Sequence, residues 1–159
     1  MATTRPRQYA EDTEVTVQRS QAEIAEALQR YGAADFITGT VDGAGLICFK
    51  LRGRAYQIRL PLPTIADDLV RLTSAGKLRP AAEIPRAIEQ ANRCRWRVFL
   101  LHVKALIESD RCLAIPLEEA LLAYVALPGG GTVGQEVLPR IEAAYASGRR
   151  VPLLPAPEE

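Results

Sequence analysis

The side chains able to do chemistry are few: one histidine, His102, three cysteines, Cys48, Cys94 and Cys112, and the paired acids Asp67-Asp68 and Glu118-Glu119. Acid–base or nucleophilic catalysis near neutral pH draws most often on a histidine beside a nucleophile. His102 falls inside a helical apolar repeat, where a packed or half-exposed ring is the simpler reading. A zinc centre needs several Cys and His at ligand spacing, and three scattered cysteines with one histidine do not supply it. The paired acids sit at the starts of short helical patterns, where they complement the macrodipole or face water.

Two further arrangements fail on the same grounds. A restriction-nuclease core needs an acid on its second strand and a Glu-x-Lys on its third, because its metal ions are held by those carboxylates. The third strand candidate here reads Gln57-Ile-Arg59, and Asp42 stands in a turn. Pro128-Gly-Gly-Gly-Thr-Val-Gly134 precedes a helix and so offers free amides to an anion. It lacks the Lys-Ser/Thr of a phosphate-binding loop, and a glycine-rich turn with a capping threonine explains it more simply. The expectation is a non-enzyme with no catalytic residue, no metal and no cofactor.

The basic residues stand out more. Twelve Lys and Arg against four acids fall between Ala44 and Lys104, a net of +8, leaving −7 for the rest of a chain whose total is +1. Lys50, Arg52, Arg54, Arg59, Arg86, Arg93, Arg97 and Lys104 are the candidate nucleic-acid contacts, with affinity expected to fall as salt rises. Tyr56 is a candidate stacking residue if its face of the sheet is exposed.

The elements that position these groups follow from periodicity. Glu14 to Gln18 alternates and predicts a short strand. Ser20-x-x-Glu23 is a capping-box pattern opening a helix over about 20–31, which Gly32 ends. Phe36–Val41, Leu46–Leu51 and Arg54–Leu60 predict three strands joined by tight turns at Asp42-Gly43 and Arg52-Gly53. Ile65, Leu69 and Leu72 suggest a short helix. A long helix over 86–109 has two apolar sectors, one with Ile88, Trp96, Phe99, Val103 and Leu106, the other with Cys94, Val98, Leu101 and Ala105, so burial on two sides is expected. Pro116 opens a helix to about Val125, and Thr132-x-x-Gln135 caps a last one ending at Gly148.

The predicted fold is α+β: a small, mainly antiparallel sheet in β-α-β-β-β order, covered on one face by the long helix and two C-terminal helices. Leu28, Phe49, Ile58, Trp96, Phe99, Val103 and Leu106 are the predicted core. Residues 1–12 read as a mobile leader, 13–150 as one domain, and 151–159 as a Pro-rich tail whose Leu153 and Leu154 can dock on the body. An odd cysteine count suggests reduced thiols. No stretch approaches the roughly 18 apolar residues of a spanning helix, and no signal-peptide core follows the first arginines.

Arg95-Trp-Arg97 with the following Leu-x-x-Lys-Ala-Leu-Ile-Glu, then Glu118-Glu119-x-Leu-Leu-x-Tyr-x-x-Leu-Pro, Gly131-Thr-Val-Gly134 and Leu153-Leu154-Pro155, resemble a family of small uncharacterised proteins encoded by phages and prophages. Thr-x-Val-x-x-Ser-x-x-Glu-Ile near the N-terminus and Leu60-Pro-Leu-Pro63 resemble the same family. The resemblance implies a phage-derived protein in the cytoplasm of a bacterial host and transfers no catalytic residue. Two functions stay open. One is non-catalytic binding of nucleic acid through a basic surface shared by the sheet and long helix. The alternative is a protein-binding or oligomerising module, either a homo-oligomer or one engaging a phage or host protein, with no membrane partner.

Overall fold

Two turns that demand positive φ organise the centre of the chain. Asp42-Gly43 and Arg52-Gly53 all adopt φ between 47° and 78°, the left-handed pair that a two-residue hairpin requires. They fold β1 (Ala34–Val41), β2 (Ala44–Leu51) and β3 (Arg54–Pro61) into an antiparallel meander of order β1-β2-β3. The register runs Ile37↔Cys48↔Gln57 and Thr38↔Ile47↔Ile58, with a bulge between Ala34 and Ile37 where Asp35 takes positive φ. This computed structural model describes residues 7–149 and Pro152.

The protein is α+β, and the sheet has one covered face. Alternation sends Ile47, Phe49, Leu51, Tyr56 and Ile58 to the inner side, where all are buried. Phe36, Phe49 and Tyr56 stack in a row across the three strands, with centroids 5.5 and 5.1 Å apart. Helix α1 (Val17–Arg30) contributes Ile24 and Leu28 to this core, and helix α3 (Ile84–Leu113) contributes Trp96, Leu100, Val103 and Ile107. Of the predicted core, Leu28, Phe49, Ile58, Trp96 and Val103 are buried, whereas Phe99 and Leu106 are half-buried at its margin.

Several sequence expectations change. Residues 14–18 form no strand: Thr16 accepts from the Arg19 amide as N-cap and α1 begins at Val17, so Ser20 lies one turn inside the helix, fully buried. The order is thus α-β-β-β-α-α among the larger elements, without a leading strand. Between β3 and α3 only α2 (Asp68–Arg71) and a 3-10 turn at Ala81–Glu83 form; the Arg79 guanidinium ties this stretch by donating to the Val70 and Leu72 carbonyls.

Burial of α3 on its second side is confined to its first half. Ala87, Ala91 and Cys94 are covered, with Val70 of α2 beside them, while Val98 and Leu101 are exposed. Residues 9–12 of the expected leader form turns against that half: Gln90 donates to the carbonyls of Glu11 and Thr13, and the Cys94 thiol to that of Tyr9. The expectations for residues 1–6 and for Leu153 and Leu154 lie outside the described residues.

The helix expected over 116–125 is divided into α4 (Leu117–Ala120) and a 3-10 turn at Leu122–Tyr124. The chain is diverted there because Val125 bridges Tyr56 and the Ala126 amide donates to Ala55, which covers the start of the outer edge of β3. Leu117 and Leu121 complete the core. Helix α5 (Val133–Ser147) opens with the predicted reciprocal capping box of Thr132 and Gln135, but it packs on the 3-10 turn and not on the sheet.

Candidate functional site

The eight basic candidates occupy separate parts of the molecule. Lys50 and Arg59 alternate with buried strand residues, so they project from the sheet face opposite the core helices. Arg52 lies in the β2–β3 turn and Arg54 follows it. Arg93, Arg97 and Lys104 lie on α3, across the core from Lys50 and Arg59. The sheet therefore stands between the two groups, and the shared surface expected of Lys50, Arg59, Arg93 and Arg97 is not assembled.

Six of the eight already have carboxylate partners. Lys50 Nζ is 2.8 Å from Asp35, Arg52 2.6 Å from Glu118, and Arg59 3.2 Å from Asp42. Arg93 pairs with Glu89 one turn earlier on α3. Arg97 meets Glu23 of α1 at 2.9 Å and Lys104 approaches the same carboxylate at 3.8 Å. Glu23 is thus shared by two cations of α3. Burial pushes its carboxyl up, but the Arg97 hydrogen bond and charge, with Arg19 and Lys104 behind them, hold it below the ordinary carboxylate range. The Asp35 hydrogen bond and charge raise the Lys50 ammonium.

Arg54 and Arg86 have no carboxylate at ion-pair distance among the described residues. Arg86 lines a cleft of about 390 Å³ between residues 11–12, α2 and the start of α3. Three acids, Glu11, Asp12 and Glu83, share that cleft with Arg79 and Arg86, so it is not a basic pocket. Tyr56, the candidate stacking residue, is buried, and burial pushes its phenol up.

The other chemical candidates also find plain surroundings. His102 is exposed beside Phe99, with 6.2 Å between the rings. Asp42 is the turn residue that holds Arg59. In the Gly129–Gly131 turn, the Gly130 amide donates to Leu127 and the Gly131 carbonyl accepts from Leu127, which closes the loop on itself. No group of three or more His, Cys, Asp or Glu able to hold a metal ion is found among the described residues. Nor is any helix among them long and apolar enough to cross a membrane.

Exposed apolar side chains are collected in places that charge counting did not point to. Helix α5 buries only Gly134 fully; Val137 and Ile141 are half-covered, while Leu138 and Tyr145, at neighbouring helical positions, are exposed. Leu138 is 59% exposed and Tyr145 87%. On the open sheet face Ile37 and Val41 of β1 are exposed, with Leu46 and Cys48 half-covered beside them. The apolar spacing on α5 was readable in the sequence; the exposure of Leu138 and Tyr145 was not. No protein-family model, no curated protein and no solved structure matches the chain.

Proposed function

We propose that this chain is a non-catalytic protein-binding module whose recognition element is α5, seated in an apolar groove of a phage or host protein. The observation that carries the reading is the helix itself. Fifteen residues are capped at both ends, by Thr132 and by Gly148 at φ 65°, yet only Gly134 is fully buried, Val137 and Ile141 are half-covered, and Leu138 and Tyr145 face outward. Isolated helices of that length are marginal in water, and their stability normally comes from burying an amphipathic face. The side bearing Leu138, Ile141 and Tyr145 has the i, i+3, i+7 anchors that helix-in-groove recognition uses. The phage resemblance supplies the class of partner.

Nucleic-acid binding is the second reading, favoured by Arg54 and Arg86, which have no carboxylate at ion-pair distance among the described residues. It is the weaker one, because a phosphate backbone would have to compete with Asp35, Glu118, Asp42, Glu89 and Glu23 for the remaining six cations. The test is affinity capture from host extract on immobilised wild-type protein and on Leu138→Glu/Tyr145→Glu. A protein held by the first and released by the second supports the reading. Equal capture by both removes α5 from it.

A further inference from the structure

We infer that β1 is a self-pairing edge, and that two copies of this chain join there as an antiparallel, two-fold symmetric dimer with a continuous six-stranded sheet. The inference uses a surface apart from α5 and stands without the proposal made for it.

The two outer edges of this sheet are treated differently. The start of the β3 edge is covered by the Ala126 amide on the Ala55 carbonyl at 2.8 Å and by the Tyr56–Val125 bridge, and the strand carries Arg54, Arg59 and Pro61. These are the usual guards against edge pairing. From Ile37 onward the edge of β1 has none of them. From Ile37 to Val41 the strand holds no charge and no proline, and every residue is exposed. Among the described residues nothing bonds its outer backbone. Its bulge and its one acid, Asp35, lie before Ile37, so 37–41 is regular.

The hairpin fixes which groups are free. Val41 and Ala44 flank a two-residue turn and so exchange hydrogen bonds, as do Gly39 with Leu46 and Ile37 with Cys48. The N–H and C=O groups of Thr38 and Thr40 then point outward.

The strand is also self-complementary, which a two-fold interface requires. Ile37-Thr-Gly-Thr-Val41 reads nearly the same in both directions about Gly39. Laid antiparallel on a second copy, Thr38 faces the other chain's Thr40 as a hydrogen-bonded pair, and Ile37 faces its Val41 on the open side. Gly39 meets Gly39 at the axis, in the closely spaced, non-hydrogen-bonded kind of pair. Asp35 and Asp42 oppose Gly43 and Phe36, so no like charges are set face to face. A Cβ at Gly39 meets nothing within 4 Å in the single chain, which leaves the axis clear. The pairing joins Ile37 and Val41 of both copies into one apolar strip.

The test is solution mass by light scattering over a concentration series. Wild type is expected at twice the chain mass. Thr38→Pro removes an outward N–H and no ladder bond, so it should keep the circular dichroism and halve the mass. Thr40→Lys puts a charge on the edge without touching the backbone and should do the same if the proline variant fails to fold. In a Cys48→Ser/Cys112→Ser background, Gly39→Cys should give a covalent dimer on mild oxidation, with Thr38→Cys and Thr40→Cys far slower. A monomeric wild type, or folded edge variants that stay dimeric, would overturn the inference. Cross-linking at Thr38→Cys as fast as at Gly39→Cys would overturn the register. None of these outcomes bears on the α5 capture experiment.

Discussion

Trp96 of α3 closes directly on Gly45 of β2: a Cβ built on that glycine would stand 2.7 Å from the indole Cζ2 and 3.3 Å from Cη2. The indole is buried and rigid, so it cannot give way as the end of a flexible chain would. Gly45→Ala should therefore cost about 1–3 kcal/mol by overpacking. Urea denaturation checks this; an unchanged midpoint would mean that the helix and sheet are further apart.

Ser20 should be a site of gain. Its hydroxyl is buried without a hydrogen-bond partner among the described residues, while the capping role belongs to Thr16. An unsatisfied buried hydroxyl costs on the order of 1 kcal/mol, so Ser20→Ala should raise stability by about that amount. Thr16→Ala should lower it by about 1 kcal/mol through loss of the cap. The opposite pair of signs would return the cap to Ser20.

Acid should weaken the fold through two carboxylates. Glu23 is lowered as described above. Asp67 is lowered first by the Thr64 amide at 2.6 Å and then, against its burial, by Arg95 at 2.8 Å. A carboxyl depressed in the folded state contributes stability that is present above its unfolded pKa and lost as pH falls through its folded one. The urea midpoint should hold at neutral pH and fall below about pH 4. Glu23→Gln should be less stable at pH 7 and show a shallower acid loss. Arg97→Glu sets a carboxylate against Glu23 and should destabilise the α1–α3 contact, so charge reversal at Arg97 does not isolate a binding effect. Arg54→Glu, at an exposed position with no carboxylate at ion-pair distance among the described residues, is the cleaner variant for nucleic-acid titrations.

The attachment of α5 rests on its first turn. A Cβ at Gly134 would meet the Ala123 carbonyl oxygen at 2.9 Å and the Ala123 Cβ at 3.2 Å. Gly134→Ala should loosen the helix from the Leu122–Tyr124 turn and expose it to limited proteolysis. Leu138→Ala and Tyr145→Ala, both on exposed positions, should change stability by no more than about 0.5 kcal/mol. A large loss at Tyr145 would show that its ring is covered after all.

What the sequence disclosed was local. Asp42-Gly43 and Arg52-Gly53 declare their hairpins because φ > 0 is written in the residue types, and Thr132-x-x-Gln135 declares its cap. Val15 and Val17 alternate as a strand would, but Thr16 between them is the cap, and a five-residue window cannot separate those readings. The charge surplus from Ala44 to Lys104 can be counted in the sequence, but whether its residues share one surface cannot be read there. Glu23 lies 74 residues from Arg97 and Glu118 lies 66 from Arg52, so their neutralising contacts exist only after folding. The exposure of Leu138 and Tyr145 on α5 was equally out of reach, since periodicity shows which side of a helix is apolar and not what lies against it.

The most direct measurement is the response of the captured complex to salt and nuclease. Apolar docking of α5 strengthens or holds as salt rises, whereas phosphate contacts weaken steeply. The expected result is a protein retained on the wild-type chain through nuclease treatment and high salt, and lost on Leu138→Glu/Tyr145→Glu. Retention that disappears with nuclease or moderate salt, and survives the α5 substitutions, would contradict the account and put nucleic acid in the partner's place.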